Sequence, residues 1–180
     1  ASLVISAYSP VHYGSLIFIE SIFDNSAQND GLSGVRSLAQ VGNYLYTAGY
    51  SEDEIGIYRI NQDTGKLNFI SVLNANMLPD PAMLNGPASL VTIPNSDLLG
   101  VVCSVSGVLI IFQSDPASGG LIYFDSIAPR ADDFTIKPSD TAPETNPLIG
   151  SVALTYLPNA SMLLTVSPQQ NLISSFSLDL

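Results

Sequence analysis

Cationic and sulfur-containing side chains are scarce in this sequence, and that scarcity excludes several classes of function. The 180 residues include 5 Lys and Arg against 16 Asp and Glu, which gives a net charge of −11 at pH 7. Nucleic acids and anionic membranes are bound through clustered Lys and Arg, so neither is expected as a partner. Cys103 is the only cysteine and His12 the only histidine. These counts exclude an internal disulfide, a thiolate metal cluster and a three-histidine metal site within this chain.

The sequence also lacks a run that fits a membrane-spanning helix. The apolar stretch from Leu98 to Ser114 carries no charge but falls short of the ~20 apolar residues that a span requires. Ser104, Ser106 and Gly107 interrupt it at a spacing typical of a hairpin. We therefore predict a buried two-stranded hairpin with Cys103 as a small core side chain.

Composition favours one folded, exported domain. Hydrophobic residues make up 46% of the chain and charged residues 12%, which is enough apolar material for a sizeable core. The low isoelectric point of about 4.1, with few lysines and many Ser, Asn and Thr, favours an extracellular, periplasmic or cell-surface location. An N-x-S sequon at Asn159 is relevant only in a eukaryotic secretory pathway.

Three landmarks recur along the chain at intervals of roughly 50 residues. A Gly-x-Leu turn begins at residues 14, 65 and 119, and "GVRSLAQV", "GPASLVTI" and "GSVALTYL" begin at residues 34, 86 and 150. The third landmark is the turn before a strand, in "VGNYLYTAGY", "IPNSDLLGVVCS" and "LPNASMLLTVSP". Because all three keep the same order, we interpret the chain as a structural repeat.

Each repeat unit reads as four short strands. Residues 35–41 alternate in polarity and end at Gly42-Asn43, and "YLYTAGY" follows as an aromatic-rich strand. The polar "SEDE" then precedes "IGIYRI", "NQDTG" and "KLNFISV". Short strands joined by Gly, Asn and Asp turns predict antiparallel hairpins, with Asp63-Thr64-Gly65 at the tip of the last one. Four-stranded units of this length are typical of the blades of a β-propeller.

The stretch "YLYTAGYSEDEIGIYRINQDTGKLNFISVL" resembles the repeat of the lactonase-like propeller family, which includes the 6-phosphogluconolactonase-like proteins. The resemblance covers most of residues 2–127 and returns in degraded form in 149–180. It is a match to a repeat consensus and not to an active-site motif. It therefore implies an all-β propeller fold, and a lactone-directed activity only by family association.

The predicted strands fill about three and a half blades of four antiparallel strands. The predicted portions are 2–24 for the end of a blade, 35–72 and 86–127 for whole blades, 128–149 for an insertion loop, and 150–179 for the start of a blade. Propellers close with four to eight blades. The chain is therefore predicted to be part of a six- to eight-bladed ring, completed by a second chain or by a missing part of the same polypeptide.

Ligand sites of a propeller are expected where its channel opens. The corresponding segments are 24–34, 73–86, 128–149, 51–54, 104–107 and 168–171. Arg36 begins an inner strand there, with Ala88 and Ala153 as its predicted counterparts, and it is a candidate for ligand binding and catalysis. The alternative is an Arg36 paired with Asp30 or Glu52. His12 is a second catalytic candidate, although its place in "SPVHYG" predicts the outer rim of a blade.

Acidic residues in these loops are further candidates for ligand binding. Asp30, Glu52 and Asp53 are the ligand-binding candidates. The same loop segments also contain Asp24, Glu54, Asp132 and Asp133. None has the D-x-D-x-D-G spacing of a calcium loop, so no metal site is assigned. A Ca²⁺ shared between several loops stays an alternative.

Two functions follow from these features. The first is a non-catalytic propeller scaffold, extracellular or on a cell surface, that works by binding or assembly. The alternative is a lactonase-type hydrolase or cycloisomerase acting on a small sugar lactone at the channel mouth. No G-x-S-x-G elbow and no glycine-rich phosphate loop occurs in the sequence to favour the enzyme.

Overall fold

The computed structural model describes residues 18–24, 29–128 and 146–179. Within these ranges the chain forms eleven β-strands and two single-turn 3₁₀ helices, Ala75–Met77 and Pro81–Met83. The strands are β1 Val35–Val41, β2 Tyr44–Gly49, β3 Glu54–Ile60, β4 Leu67–Asn74, β5 Pro87–Thr92, β6 Leu98–Cys103, β7 Val108–Ser114, β8 Leu121–Ile127, β9 Ala153–Leu157, β10 Met162–Ser167 and β11 Leu172–Ser177. The all-β prediction is confirmed.

The strands form three antiparallel sheets in chain order. Sheet 1 contains β1–β4, sheet 2 contains β5–β8, and sheet 3 contains β9–β11. Each strand pairs with the next along the chain, because every connection within a sheet is a short hairpin. The run from Leu98 to Ser114 is a hairpin of β6 and β7, as predicted, and its residues are buried apart from the turn and Gln113. Within the described residues, no helix has the length and apolar character needed to cross a membrane.

Two apolar layers hold the sheets together. Sheets 1 and 2 bury Tyr46, Ile55, Leu99 and Phe112 between them, and each of these side chains has 0% exposure. A second cluster, which includes Leu109 and Leu163, lies between sheets 2 and 3. Full burial of one Leu, Ile or Phe side chain contributes about 1.5–3 kcal/mol relative to exposure, so these layers supply the main attraction between sheets.

A serine on the inner strand joins each sheet to the next. The Leu90 amide donates to Ser37 Oγ at 3.0 Å, and the Leu154 amide donates to Ser89 Oγ at 3.1 Å. Ser37 and Ser89 therefore occupy equivalent positions in sheets 1 and 2. Sheet 3 has Ala153 there and offers no hydroxyl.

Parts of the predicted organisation lie outside the described residues. These are residues 2–17 of the first predicted portion and residues 129–145 of the predicted insertion. Residues 18–24, where the sequence predicts the end of a strand, have no regular secondary structure. The described chain contains no other strand of the blade to which they were assigned, and a strand forms only against a partner.

Candidate functional site

The loops predicted to lie together do meet at one end of the three sheets. The Gly86 amide donates to Asp53 Oδ1 at 2.7 Å, which joins the loop before β5 to the β2–β3 turn. The Gly150 amide donates to Ser104 O, and Asn146 Nδ2 donates to Gly107 O, each at 2.7 Å. We call residues 29–34, 50–54, 75–86, 104–107, 146–150 and 168–171 the loop face.

Arg36 lies exposed on this face, but not in the predicted ion pair. Its guanidinium carbon lies 3.2 Å from the centre of the Tyr50 ring, which is a cation–π contact. Among the described residues it forms no salt bridge with Asp30 or Glu52. Because Ser89 and Ala153 are equivalent, the counterpart of Arg36 in sheet 3 is Val152, and the predicted Ala153 was wrong by one residue.

Three carboxylates converge beside sheet 1. One oxygen from each of Asp24, Asp30 and Glu52 lies within 4.8 Å of the others. Removal from water, and then the negative charges of Asp24 and Asp30, raise the pKa of Glu52. The pKa of Glu54 is raised by burial and then by the same acids together with Glu52. Neighbouring carboxylates with raised pKa values can share a proton or bind a cation.

The side chain of Asp53 accepts a hydrogen bond from the backbone of another loop. Its Oδ1 accepts the Gly86 amide, and its φ of 58° places it at the tight turn between β2 and β3. A carboxylate that satisfies a backbone amide between two sheets stabilises their contact. Its candidacy for ligand binding stays a prediction.

We expect the carboxylate cluster to weaken folding near neutral pH. A carboxyl group whose pKa is raised on folding contributes stability below its ordinary value of 4.5, and that stability is lost as the pH rises through the folded value. Glu52→Gln should therefore exceed the wild type in stability at pH 7, by about 0.5 kcal/mol because the site is exposed. The difference should vanish near pH 4.5, and thermal unfolding across this range measures it.

Asp63→Asn, which removes an exposed acid from another hairpin, is the control for the loss of one negative charge. A wild type that remains as stable as Glu52→Gln throughout would contradict the repulsion. The shared Ca²⁺ stays a prediction, since one converging oxygen from each of three carboxylates is fewer than the six to eight oxygens that Ca²⁺ takes. It requires that millimolar Ca²⁺ raise the melting temperature of the wild type but not of Glu52→Gln.

The remaining chemical candidates are Cys103 and His12. Cys103 is buried, and burial raises the pKa of its thiol to about 12. It is therefore protonated at neutral pH and is a core side chain, as predicted. His12 lies outside the described residues.

Sheet 3 leaves one face uncovered, and sheet 1 leaves part of one face uncovered. On that side of sheet 1, Leu38 is exposed, whereas Thr47 and Tyr58 are 1% exposed because residues 30 and 31 lie over them; their hydroxyls donate to the carbonyls of residues 31 and 30. The second residue of the third strand is buried in sheets 1 and 2 (Ile55 at 0% and Leu109 at 2%), but its equivalent Ile173 is 74% exposed. Leu38 directly follows Ser37 and is 61% exposed. Leu90 and Leu154, which directly follow the equivalent residues of sheets 2 and 3, are 5% and 7% exposed. The alignment of "VRSL", "PASL" and "VAL" gives the equivalence of the three leucines but not their exposure.

We call the side of sheet 1 that carries Leu38 the leading face, and the side of sheet 3 that carries Ile173 the trailing face. Both present apolar residues at positions that are buried wherever a neighbouring sheet is present. Exposed apolar surfaces of this kind mark contact sites.

No protein-family model matches the sequence, and no curated protein matches it. Solved structures do match. One is a putative 6-phosphogluconolactonase from Bacteroides fragilis (18% identity, TM-score 0.60), which covers 82% of this chain and 35% of that chain. A periplasmic gluconolactonase from Pseudomonas aeruginosa matches with 17% identity and TM-score 0.54, covering 92% of this chain and 38% of that one. The RRP9 WD40 repeats match with 13% identity and TM-score 0.51, covering 79% of this chain and 38% of that one.

The matched proteins include propellers with lactonase names and WD40 propellers, so the likeness establishes the fold and not a chemistry. This chain spans less than half the length of each of these three chains. Three radially ordered sheets that align with such proteins make up an incomplete set of blades. The chain has the β-propeller fold and comprises about three blades of it.

Proposed function

We propose that this chain is a non-catalytic scaffold that binds a partner through its leading and trailing faces, completing a propeller ring. The exposure of Leu38 and Ile173 carries the proposal, because each has two equivalents that are buried. An apolar side chain gains about 1.5–3 kcal/mol when it is fully buried, so covering both faces is strongly favourable.

The loop face supports binding more than catalysis. The guanidinium of Arg36 stacks on Tyr50, which fixes its position but leaves its in-plane N–H groups able to bind an anion. The Cys103 thiol is buried and protonated. Asp53 is engaged by the Gly86 amide, which leaves the Asp24, Asp30 and Glu52 cluster as the reactive feature of this face.

That cluster favours the alternative, a lactonase-type hydrolase or cycloisomerase. A carboxyl group with a raised pKa is suited to general acid or base catalysis, and Glu52 has such a pKa. Arg36 lies on the same face and, stacked on Tyr50, presents its N–H groups to an anionic sugar. Two of the three solved structures described above are named as lactonases, which supports this alternative. Further catalytic groups would have to come from the part that completes the ring.

A lactone assay separates the two functions. The wild-type particle and an Arg36→Ala/Glu52→Gln variant are each given gluconolactone and 6-phosphogluconolactone, and proton release is followed above the buffer rate. A scaffold should leave both rates equal to that of buffer. A wild-type rate above buffer that is lost in the variant would overturn the scaffold and support the hydrolase.

We also propose that the protein is exported. Its low isoelectric point and few lysines support this location, and Asn159 is exposed between β9 and β10, where a glycan would find space. Cell fractionation of the native host should recover the chain outside the cytosol. Recovery in the cytosolic fraction would contradict export.

A further inference from the structure

We propose that the partner is a second copy of this chain, joined head to tail so that two copies close a ring of six sheets. This inference rests on the proposed assembly function and names its partner. The first observation is that the trailing and leading faces correspond to the two opposite sides of the contact between sheets 1 and 2. Within the chain, the side of sheet 1 that carries Ile55 packs against the side of sheet 2 that carries Leu90. The trailing face carries Ile173, the equivalent of Ile55, and the leading face carries Leu38, the equivalent of Leu90.

One copy therefore supplies both halves of a contact that already occurs inside it. A head-to-tail contact of this kind forms a ring when its rotation closes, and two copies then share two identical interfaces. Three sheets are fewer than the smallest propeller, whereas six fall within the four to eight blades in which propellers close.

The second observation concerns sheet 3, which has three strands among the described residues. Sheets 1 and 2 each have a fourth strand, and in each an aromatic pair joins the third strand to the fourth. Tyr58 pairs with Phe69, with ring centres 5.5 Å apart, and Phe112 pairs with Tyr123. In sheet 3, the equivalent Phe176 lies on β11, the outermost strand among the described residues.

The chain contains an aromatic residue that fits this place. Aligned on the Gly-x-Leu turn, "GSLIFIES" at residue 14, "GKLNFISV" at 65 and "GGLIYFDS" at 119 bring Phe18 to the position of Phe69 and Tyr123. The second and third of these segments form the outer strands of sheets 1 and 2. Residues 15–21 thus have the sequence of an outer strand and precede sheet 1 directly.

The position of the described residues 18–21 fits a strand that belongs to a preceding sheet. Glu20 Oε1 accepts the Leu67 amide at 2.6 Å, so Glu20 lies beside sheet 1, at the start of β4. In a propeller, the outer strand of one sheet leads directly into the inner strand of the next. When the leading face of one copy covers the trailing face of another, residues 18–21 of the first copy reach the edge of β11.

A cleft beside that edge has room for the added side chains. It has a volume of about 340 Å³ and lies between the outer parts of sheets 2 and 3. Its apolar lining includes Leu163, Phe176 and Leu178, with Leu109 and Ile127 from sheet 2. Between sheets 1 and 2, Leu121 and Tyr123 of β8 pack against the equivalent layer. Phe18 of a second copy is the matching residue.

Native mass spectrometry and sedimentation of the full chain test this proposal. At micromolar concentration we expect a particle of twice the 19.0 kDa chain mass. Ile173→Lys should weaken association by at least about thirtyfold, because it buries an unpaired charge at the centre of the contact. Ile173 is largely exposed in the single chain, so its replacement leaves the fold intact. Ile122→Lys, on the exposed outer strand of sheet 2, is the matched control and should still dimerise.

A gain of affinity provides a second readout. Ala153→Ser restores the inner-strand hydroxyl, which could accept the Leu38 amide of the other copy as Ser37 accepts Leu90. One added hydrogen bond should tighten the dimer about fivefold. A Phe18→Cys chain mixed with a Phe176→Cys chain under oxidised glutathione should give a disulfide-linked pair, since cross-strand partners lie within bonding reach.

Each outcome bears on one proposal or the other. A monomer, a trimer, or a dimer that Ile173→Lys leaves intact would overturn the second copy as the partner. If the same protein also showed no lactone hydrolysis, the proposed scaffold function would still hold, with a partner other than a second copy. Lactone hydrolysis above the variant rate would overturn the scaffold whatever the particle mass.

Discussion

Replacing Tyr46 by alanine is expected to lower the free energy of unfolding by about 3–5 kcal/mol, the range for removing a buried aromatic side chain. Tyr46 is fully buried between sheets 1 and 2, and its hydroxyl lies 2.5 Å from Ser114 Oγ and donates to Gly119 O at 2.8 Å. Alanine would leave a cavity and two unsatisfied polar groups. Urea unfolding of wild type and variant, followed by the same probe, measures the difference.

Two phenylalanine variants separate packing from hydrogen bonding. Tyr46→Phe keeps the ring and should cost about 1–3 kcal/mol, because the buried Ser114 hydroxyl and Gly119 carbonyl lose a partner. Tyr44→Phe removes a single bond to Ala117 O in a partly buried place and should cost about 1 kcal/mol. A Tyr46→Phe that unfolds at the wild-type urea concentration would show that the hydroxyl contributes nothing.

The residues equivalent to Tyr46 show that different side chains pack each contact between sheets. The position of Tyr46 in β2 is held by Gly100 in β6 and Leu164 in β10. The repeat therefore conserves backbone geometry while each interface is packed by different side chains. A large aromatic fills the contact between sheets 1 and 2, and a glycine on sheet 2 permits Leu154 to approach closely.

The fold was predictable because its determinants are local. Alternation along residues 35–41, the turns at Gly42 and Gly65, and the recurrence of Gly-x-Leu depend only on neighbours in sequence, and each recurs in the structure as a strand or hairpin. The hairpin around Cys103 followed from its serines and glycine in the same way. The inner-strand serine contact was not visible, because it joins residues of different sheets.

The site was less predictable because its contacts cross between loops. Asp24, Asp30 and Glu52 meet only when the loop before β1 folds over the β2–β3 turn, a relation that sequence spacing does not contain. One alternative for Arg36 was an ion pair with Asp30 or Glu52, yet its guanidinium stacks on the Tyr50 ring instead. The uncovered faces appeared only when equivalent residues could be compared for exposure.

Gly119→Ala is the second substitution with a large expected effect, a loss of about 3 kcal/mol of stability. Gly119 has a φ of 76°, and a Cβ there would lie 2.6 Å from Cε1 of Tyr44. The left-handed backbone conformation costs an L-residue about 1–2 kcal/mol, and the steric overlap about 1–3 kcal/mol. The turn that follows β7 must therefore shift or push the Tyr44 ring away from the contact between sheets 1 and 2.

Gly42→Ala isolates the backbone contribution. Gly42 has a φ of 55°, but a Cβ there meets no atom within 4 Å, so its variant should lose only about 1–2 kcal/mol. Combining Gly119→Ala with Tyr44→Leu should then reduce the cost of the glycine substitution to that of Gly42→Ala, because the smaller side chain vacates the space. If the cost of Gly119→Ala were the same with Tyr44 and with Leu at position 44, the steric account would be wrong. The backbone conformation alone would then set the requirement for glycine at this contact between sheets.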